Sequence, residues 1–222
     1  GGVNINGAAL SYRIRKSGED WPEEFQELLP FGSEENFVTL MNEKCKEMGL
    51  KNTHFMNTSG LYDENHYTTA YDLTLIAREA MQNESFRELV STTRANIPWE
   101  GRTYDRQLKN KNRLLTSYPG ATGVKTGYTS KAGRCLVFGA ARNGMELIGV
   151  VLGCGDWFDE AERLLDNCFE TYSMVGVLGP MKSAGQIPVE GGKASAVNMC
   201  LMQTLSAPLA KGENGQIVLD VP

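Results

Sequence analysis

A chain of 222 residues with 41% hydrophobic and 22% charged residues has the make-up of an ordinary globular protein, long enough for one sizeable core or one and a half domains. A formal net charge of −5 and a pI near 5.2, with no long basic block, argue against a nucleic-acid binder. No apolar stretch reaches the length of a membrane span.

Residues 1–6 contain neither a basic nor an apolar region, so no signal peptide is read there. Further along, Asp20 reads as a helix cap, with Pro22 in the first turn and Glu23 three residues after the cap. Trp21, Phe25, Leu28 and Leu29 share one helical face, and Pro30 stops the run. Ser33 opens a second helix, with Glu34 and Glu35 at the positive end of its dipole. Its stripe of Phe37, Leu40, Met41, Cys45 and Met48 predicts core packing, and Gly49 its end.

Residues 51–67 are dense in Asn, Thr, Ser, Gly and Asp and read as a long loop, of a length that is usually either functional or disordered. His54 and His66 lie in it and are expected to be structural hydrogen bonders. Thr69 caps a helix over residues 70–82, with Leu73, Ile76, Ala77, Ala80 and Met81 as its buried face, and a short helix follows at 85–90. Residues 97–117 form a polar, strand-like region. It contains the basic run Lys109, Lys111 and Arg113, a solvated face that beside an anionic-substrate site would steer ligand over about 8 Å at physiological salt.

Two β-rich runs, 134–142 and 145–152, flank Asn143-Gly144, a strong hairpin signal. Asp156 then caps a helix carrying Phe158, Ala161, Leu164, Leu165, Cys168 and Phe169 on one side. Residues 172–178 lead out of it. From residue 179 the composition turns to Gly, Pro, Ser and Val, with short strands expected at 186–190 and 216–221. Cys45, Cys135, Cys154, Cys168 and Cys200 form no Cys-x-x-Cys pair and read as small buried hydrophobes. With two histidines they make no zinc-like spacing, so no metal and no other cofactor are expected.

Residues 120–129, Gly-Ala-Thr-Gly-Val-Lys-Thr-Gly-Tyr-Thr, concentrate the chemistry. Glycine lets backbone approach a bound molecule, Lys125 supplies a point charge with three donors, and Thr126 supplies a hydroxyl. Such a group suits a carboxylate. If residues 124–128 form a strand beside the hairpin, this triplet lies on a sheet edge where a peptide can add as a further strand.

Lys125-Thr126-Gly127 is similar to one of the short motifs of penicillin-recognising serine enzymes. Gly32-Ser33-Glu34-Glu35-Asn36-Phe37, Met41-Asn42-Glu43-Lys44, Gly49-Leu50-Lys51-Asn52-Thr53-His54-Phe55 and His66-Tyr67-Thr68-Thr69-Ala70-Tyr71-Asp72-Leu73 stand before it in matching order and spacing. Over residues 32–172 the chain resembles the serine D-Ala-D-Ala carboxypeptidases, the low-molecular-mass penicillin-binding proteins.

The resemblance implies an α/β (α+β) fold: a β-lactamase/transpeptidase-like sandwich of helices on a mainly antiparallel sheet, with part of a small β domain after it. The domains expected are an unplaced segment at 1–31, a partial carboxypeptidase domain at 32–172 and the start of a β domain at 173–222. Lys125 would bind the terminal carboxylate of a peptidoglycan stem peptide ending in D-Ala-D-Ala, Thr126 would hydrogen-bond the same group, and Gly127 would leave room for the peptide. The setting implied is the cell envelope.

The family's nucleophilic Ser-x-x-Lys and its Ser-x-Asn element occur nowhere in the 222 residues. Ser17-Gly18-Glu19 stands nearest to the second, with a glutamate in place of the asparagine. The catalytic residues are therefore none, and the chain alone is expected to be inactive: a fragment or disrupted frame of a carboxypeptidase, or a non-catalytic peptidoglycan-binding or interaction protein. A β-lactamase relative is the weakest reading. β-Lactams are expected only as weak non-covalent ligands, and a second chain is expected to complete the core.

Overall fold

The computed structural model describes residues 33–99 and 101–213. The helix expected from Asp20, the Ser17-Gly18-Glu19 element and the strand expected at 216–221 lie outside the described residues. The chain divides into two compact units. The first holds the described residues up to Ala140 together with Leu147–Leu165; the second holds Ala141–Glu146 and the described residues from Asp166 on.

In the first unit helix α1 spans Glu34–Glu47 and starts where the sequence places a cap, the Ser33 hydroxyl accepting from the Asn36 N–H at 3.2 Å. Helix α2, Ala70–Ala80, is capped in the same way by Thr69. Helix α3, Glu84–Ser91, is capped by Asn83, whose side chain accepts from the Phe86 N–H. Each cap satisfies one of the N–H groups a helix leaves unpaired at its start, typically worth about 1 kcal/mol.

The face of α1 departs from expectation. Only Cys45 is buried; Leu40, Met41 and Met48 are half-buried and Phe37 is 41% exposed. With Phe55 and Ile76 they line an apolar hollow of about 490 Å³. The helical period correctly marks the apolar face but does not say whether anything covers it, and no described residue fills the hollow. The cysteines need the same correction: Cys45 is buried, Cys135, Cys154 and Cys168 are half-buried, and Cys200 is exposed.

The loop between α1 and α2 is held by side chains that stand in for a ladder. Asn42 donates from Nδ2 to the Phe55 carbonyl and accepts at Oδ1 from the Phe55 N–H, both at 2.8 Å. Asp72, 3% exposed, accepts at Oδ2 from the Asn52 N–H and the Thr53 hydroxyl, both at 2.9 Å. His54 bridges to Tyr67 through the backbone and donates from Nδ1 to the Asn65 carbonyl at 2.8 Å. The backbone groups of a loop must find partners somewhere, and here Asn42 and Asp72 supply them.

Strands β1, Arg94–Ile97, and β2, Arg106–Lys109, pair antiparallel and are followed by a one-turn helix α4, Leu114–Ser117. The hairpin therefore starts upstream of the strand-like region expected at 97–117, which also contains a helical turn. The arrangement is built from mostly exposed side chains, which give no clean two-residue alternation to read.

Three strands form the sheet that holds the candidate site residues: β3, Ala121–Thr129, β4, Gly133–Arg142, and β5, Met145–Val151, in the order β3-β4-β5. The β4–β5 turn is as the sequence predicts, with Asn143 at φ 51 and Gly144 at φ 77, the two positive values a tight I′ connection requires. Leu136, Phe138 and Ala140 of β4 are 0–2% exposed, as are Leu114 of α4 and Ala161 and Leu165 of helix α5, Trp157–Thr171. Burying a Leu or Phe side chain contributes about 1.5–3 kcal/mol, so this set anchors the unit.

In the second unit β6, Tyr172–Leu178, pairs antiparallel with β9, Leu205–Ala210, and β7, Ser183–Pro188, pairs antiparallel with β8, Ala196–Cys200. The strand expected at 186–190 overlaps only the end of β7, and β8 and β9 are not among the strands expected. Their burial shows no regular alternation, so the period-2 signal was absent. Arg142 reaches Asp166 at 3.7 Å and lies over the Phe169 ring at 4.9 Å.

Candidate substrate-recognition edge

Strand β3 pairs with β4 in the register Lys125 opposite Val137, Thr126 opposite Leu136 and Gly127 opposite Cys135. Because β3 ends the strand order, its other edge has no partner strand among the described residues. A row of backbone donors and acceptors is thus open to an extended ligand.

Its conformation is set from behind by helix α3, which packs on it. Met81 and Val90 form a buried cluster with Val124, against which Phe86, Val137 and Ile148 pack. Gly123, at φ +147, leaves no room for a side chain: an added Cβ would stand 2.9 Å from Val90 Cγ2. Gly123 is therefore a packing glycine. At Gly127 an added Cβ would meet only the Cys135 carbonyl, at 3.9 Å. Nothing inside the fold demands glycine there, and the bare backbone keeps the exposed edge clear.

Lys125 is half-buried, and its Nζ donates to the Thr126 carbonyl at 2.6 Å. That bond holds the ammonium along the strand, while its other N–H donors meet no acceptor among the described residues. Thr126 is 9% exposed, and strand alternation sets it on the opposite face from Lys125 and Gly127. The edge thus presents one oriented cation, a cleared backbone and, more deeply placed, one hydroxyl.

His54 and His66 are both engaged in the α1–α2 loop. The His54 ring stacks on Tyr67 at 5.9 Å, and His66 meets Phe55 edge to face at 5.6 Å. These ring contacts of His54 and His66 lie within this loop, and both residues serve to order it. Among the described residues no helix is long and apolar enough to cross a membrane.

A mixed α+β chain with antiparallel sheets and a Lys-Thr-Gly edge strand defines the class of the penicillin-recognising, DD-peptidase type. The family described as D-alanyl-D-alanine carboxypeptidase, peptidase S11, matches residues 29–155. The chain belongs to this family. It is 36% identical over 186 residues to the D-alanyl-D-alanine carboxypeptidase DacF of Bacillus subtilis, covering 82% of this chain and 48% of that protein. The crystal structure of the Streptomyces K15 DD-transpeptidase superposes with a TM-score of 0.56 at 37% identity, over 60% of this chain and 53% of that one. The DacD carboxypeptidase from Francisella tularensis shares the fold, with a TM-score of 0.64 at 24% identity, over 84% of this chain and 58% of that one. The chain spans about half the length of the curated relatives it matches.

Proposed function

We propose that this chain carries the substrate-recognition edge of a serine-type D-Ala-D-Ala carboxypeptidase of peptidoglycan maturation and binds stem peptides ending in D-Ala-D-Ala. The observation that carries the reading is the open edge of β3 with the Lys125 ammonium lying along it. The peptide would add as a strand, its terminal carboxylate lying at the strand edge, where Lys125 would meet it from one face and the Thr126 hydroxyl from the other, with Gly127 leaving space for its backbone. A charge-assisted contact of this kind is roughly twice as strong as a neutral one. The place of action is the cell envelope, with residues 32–172 as the peptidase part and 173–222 as the start of a β domain.

In the complete reaction a serine attacks the D-Ala-D-Ala peptide bond, D-alanine leaves, and water releases the acyl-enzyme. No Ser-x-x-Lys exists in these residues to perform the first step. Loss of such a nucleophile costs on the order of a millionfold in turnover, while binding survives. The chain by itself is a binder. β-Lactams are held weakly and without a covalent bond, and a second chain covering the open face of α1 would complete the core.

Calorimetric titration of a D-Ala-D-Ala peptide against its L-Ala-L-Ala diastereomer tests the reading. Binding of the first in excess of the second, with no free D-alanine released and no stable label from a fluorescent penicillin, is the expected outcome. Equal affinities, or no binding of either, would sink it; stoichiometric labelling would show a nucleophile of another kind.

A further inference from the structure

The β1–β2 hairpin concentrates positive charge on an acidic chain. Between Thr93 and Arg113 six basic residues stand against two acidic ones, in a protein whose formal net charge is −5. Arg113 is used internally, paired with Asp159 and lying over the Phe158 ring at 5.0 Å. Arg94, Arg102, Arg106 and Lys109 are exposed and have no acidic partner among the described residues.

Two features show that this charge is not arranged for the stability of the hairpin. Arg94 lies directly across the ladder from Lys109, and like charges at facing positions are destabilising. At the end of the hairpin Trp99 and Tyr104, 44% and 58% exposed, meet edge to face at 5.8 Å. Arg102 and Arg106 each stand 5.9 Å from the Trp99 ring centroid. Large aromatic surface left in water beside cations is the composition of a contact surface.

We propose that this hairpin binds an anionic glycan strand of the cell wall. A sugar ring presents weakly positive C–H groups that suit the negative face of an aromatic ring, and the flanking guanidiniums take carboxylates or phosphates by forked hydrogen bonds. The choice of a glycan rests on the peptidase reading above, whose substrate peptides are attached to one; the hairpin would hold the polymer while β3 reads the peptide.

The test is co-sedimentation of the chain with purified insoluble peptidoglycan at 50 and 300 mM NaCl, beside anionic phospholipid vesicles. The variants are Trp99→Ala, the double Arg102→Ser/Arg106→Ser and, as a second charge probe, Lys109→Glu. Retention on peptidoglycan is expected to fall severalfold at the higher salt, because screening shortens the reach of exposed charges, and about tenfold in the double variant, or roughly 1.4 kcal/mol. The melting temperature and the affinity for the D-Ala-D-Ala peptide should not change in any of them. Full retention of the variants, retention that ignores salt, binding to vesicles in preference to peptidoglycan, or no retention of the unaltered chain would each overturn the proposal. Peptide binding measured on the same samples separates the two readings: its loss with glycan retention intact counts against the β3 edge alone.

Discussion

Asn42 and Phe55 are joined by a pair of hydrogen bonds, each 2.8 Å, in which one side-chain amide both donates to and accepts from a single backbone unit. The amide thereby occupies the place of a neighbouring strand and fixes the loop to α1. Asn42→Ala would leave a part-buried N–H and C=O without partners, at a cost of about 1–3 kcal/mol each before water repays some of it. The expected result is a loss of about 2 kcal/mol in denaturant unfolding, with faster amide exchange at Phe55. Asn42→Asp keeps the acceptor but turns a carboxylate toward the Phe55 carbonyl, and should be no better than alanine.

Gly149 and Phe138 pack so closely that a methyl group cannot be placed between them. An added Cβ at Gly149 would stand 2.3 Å from Phe138 Cζ and 2.6 Å from Cε2, and Phe138 is itself 2% exposed. Its ring has nowhere to swing, so Gly149→Ala should destabilise by about 1–3 kcal/mol through overpacking. Gly149→Ala combined with Phe138→Leu should recover part of that loss in thermal melts. Additive losses in the double variant would show that the ring and the glycine do not act as a pair.

The sequence made these elements legible where a residue has one physical job. Caps at Ser33 and Thr69, the Asn143-Gly144 turn and the apolar period of α5 all appear in the structure as read, since each depends on local geometry alone. The edge position of β3 followed from the hairpin that had to lie beside it. The face of α1 was less legible, because a periodic stripe gives direction but not what lies against it. Strands β1, β8 and β9 were obscure, and β2 was legible only as part of a strand-like region without bounds, because their exposed side chains lack alternation. For the same reason Trp99, Tyr104, Arg102 and Arg106 read only as part of a polar, strand-like region, although two aromatics among arginines were the available signal. The sequence could not distinguish Gly123 from Gly127 either: only the approach of Val90 shows that one is needed for packing and the other is not.

His66 gives the chain a modest pH dependence. Burial holds its pKa below the usual histidine value, with His54 adding to the lowering and Asp63 opposing it. The folded protein therefore prefers the neutral ring, which accepts at Nδ1 from the Met56 N–H at 3.4 Å. The stability this provides is complete above the ordinary histidine pKa, near 6.5, and is lost as pH falls through the lower folded value. Melting temperature should decline on acidification from pH 7 to pH 5, and His66→Gln should flatten that decline while lowering stability at pH 7. An unchanged slope in the variant would assign the pH dependence to other groups.

Lys125 decides the functional reading. Its ammonium already gives one hydrogen bond to the Thr126 carbonyl, so an arriving carboxylate meets a cation whose position is set. A hydrogen bond to a charged group is worth about 1.5–3 kcal/mol, or roughly ten to a hundredfold in affinity. Lys125→Ala should remove most of the D-Ala-D-Ala peptide binding and leave the melt close to unchanged, because the side chain contributes no part of the buried core. Lys125→Arg keeps the charge but replaces a compact ammonium with a planar fork that cannot take the same place along the strand, and should fall between the two. Gly127→Ala supplies an independent probe: with 3.9 Å to the nearest atom it should fold normally, yet obstruct a peptide lying against the edge. If calorimetry returns one affinity for all four proteins, Lys125 is a solvated surface lysine and β3 is not the edge that the peptide joins.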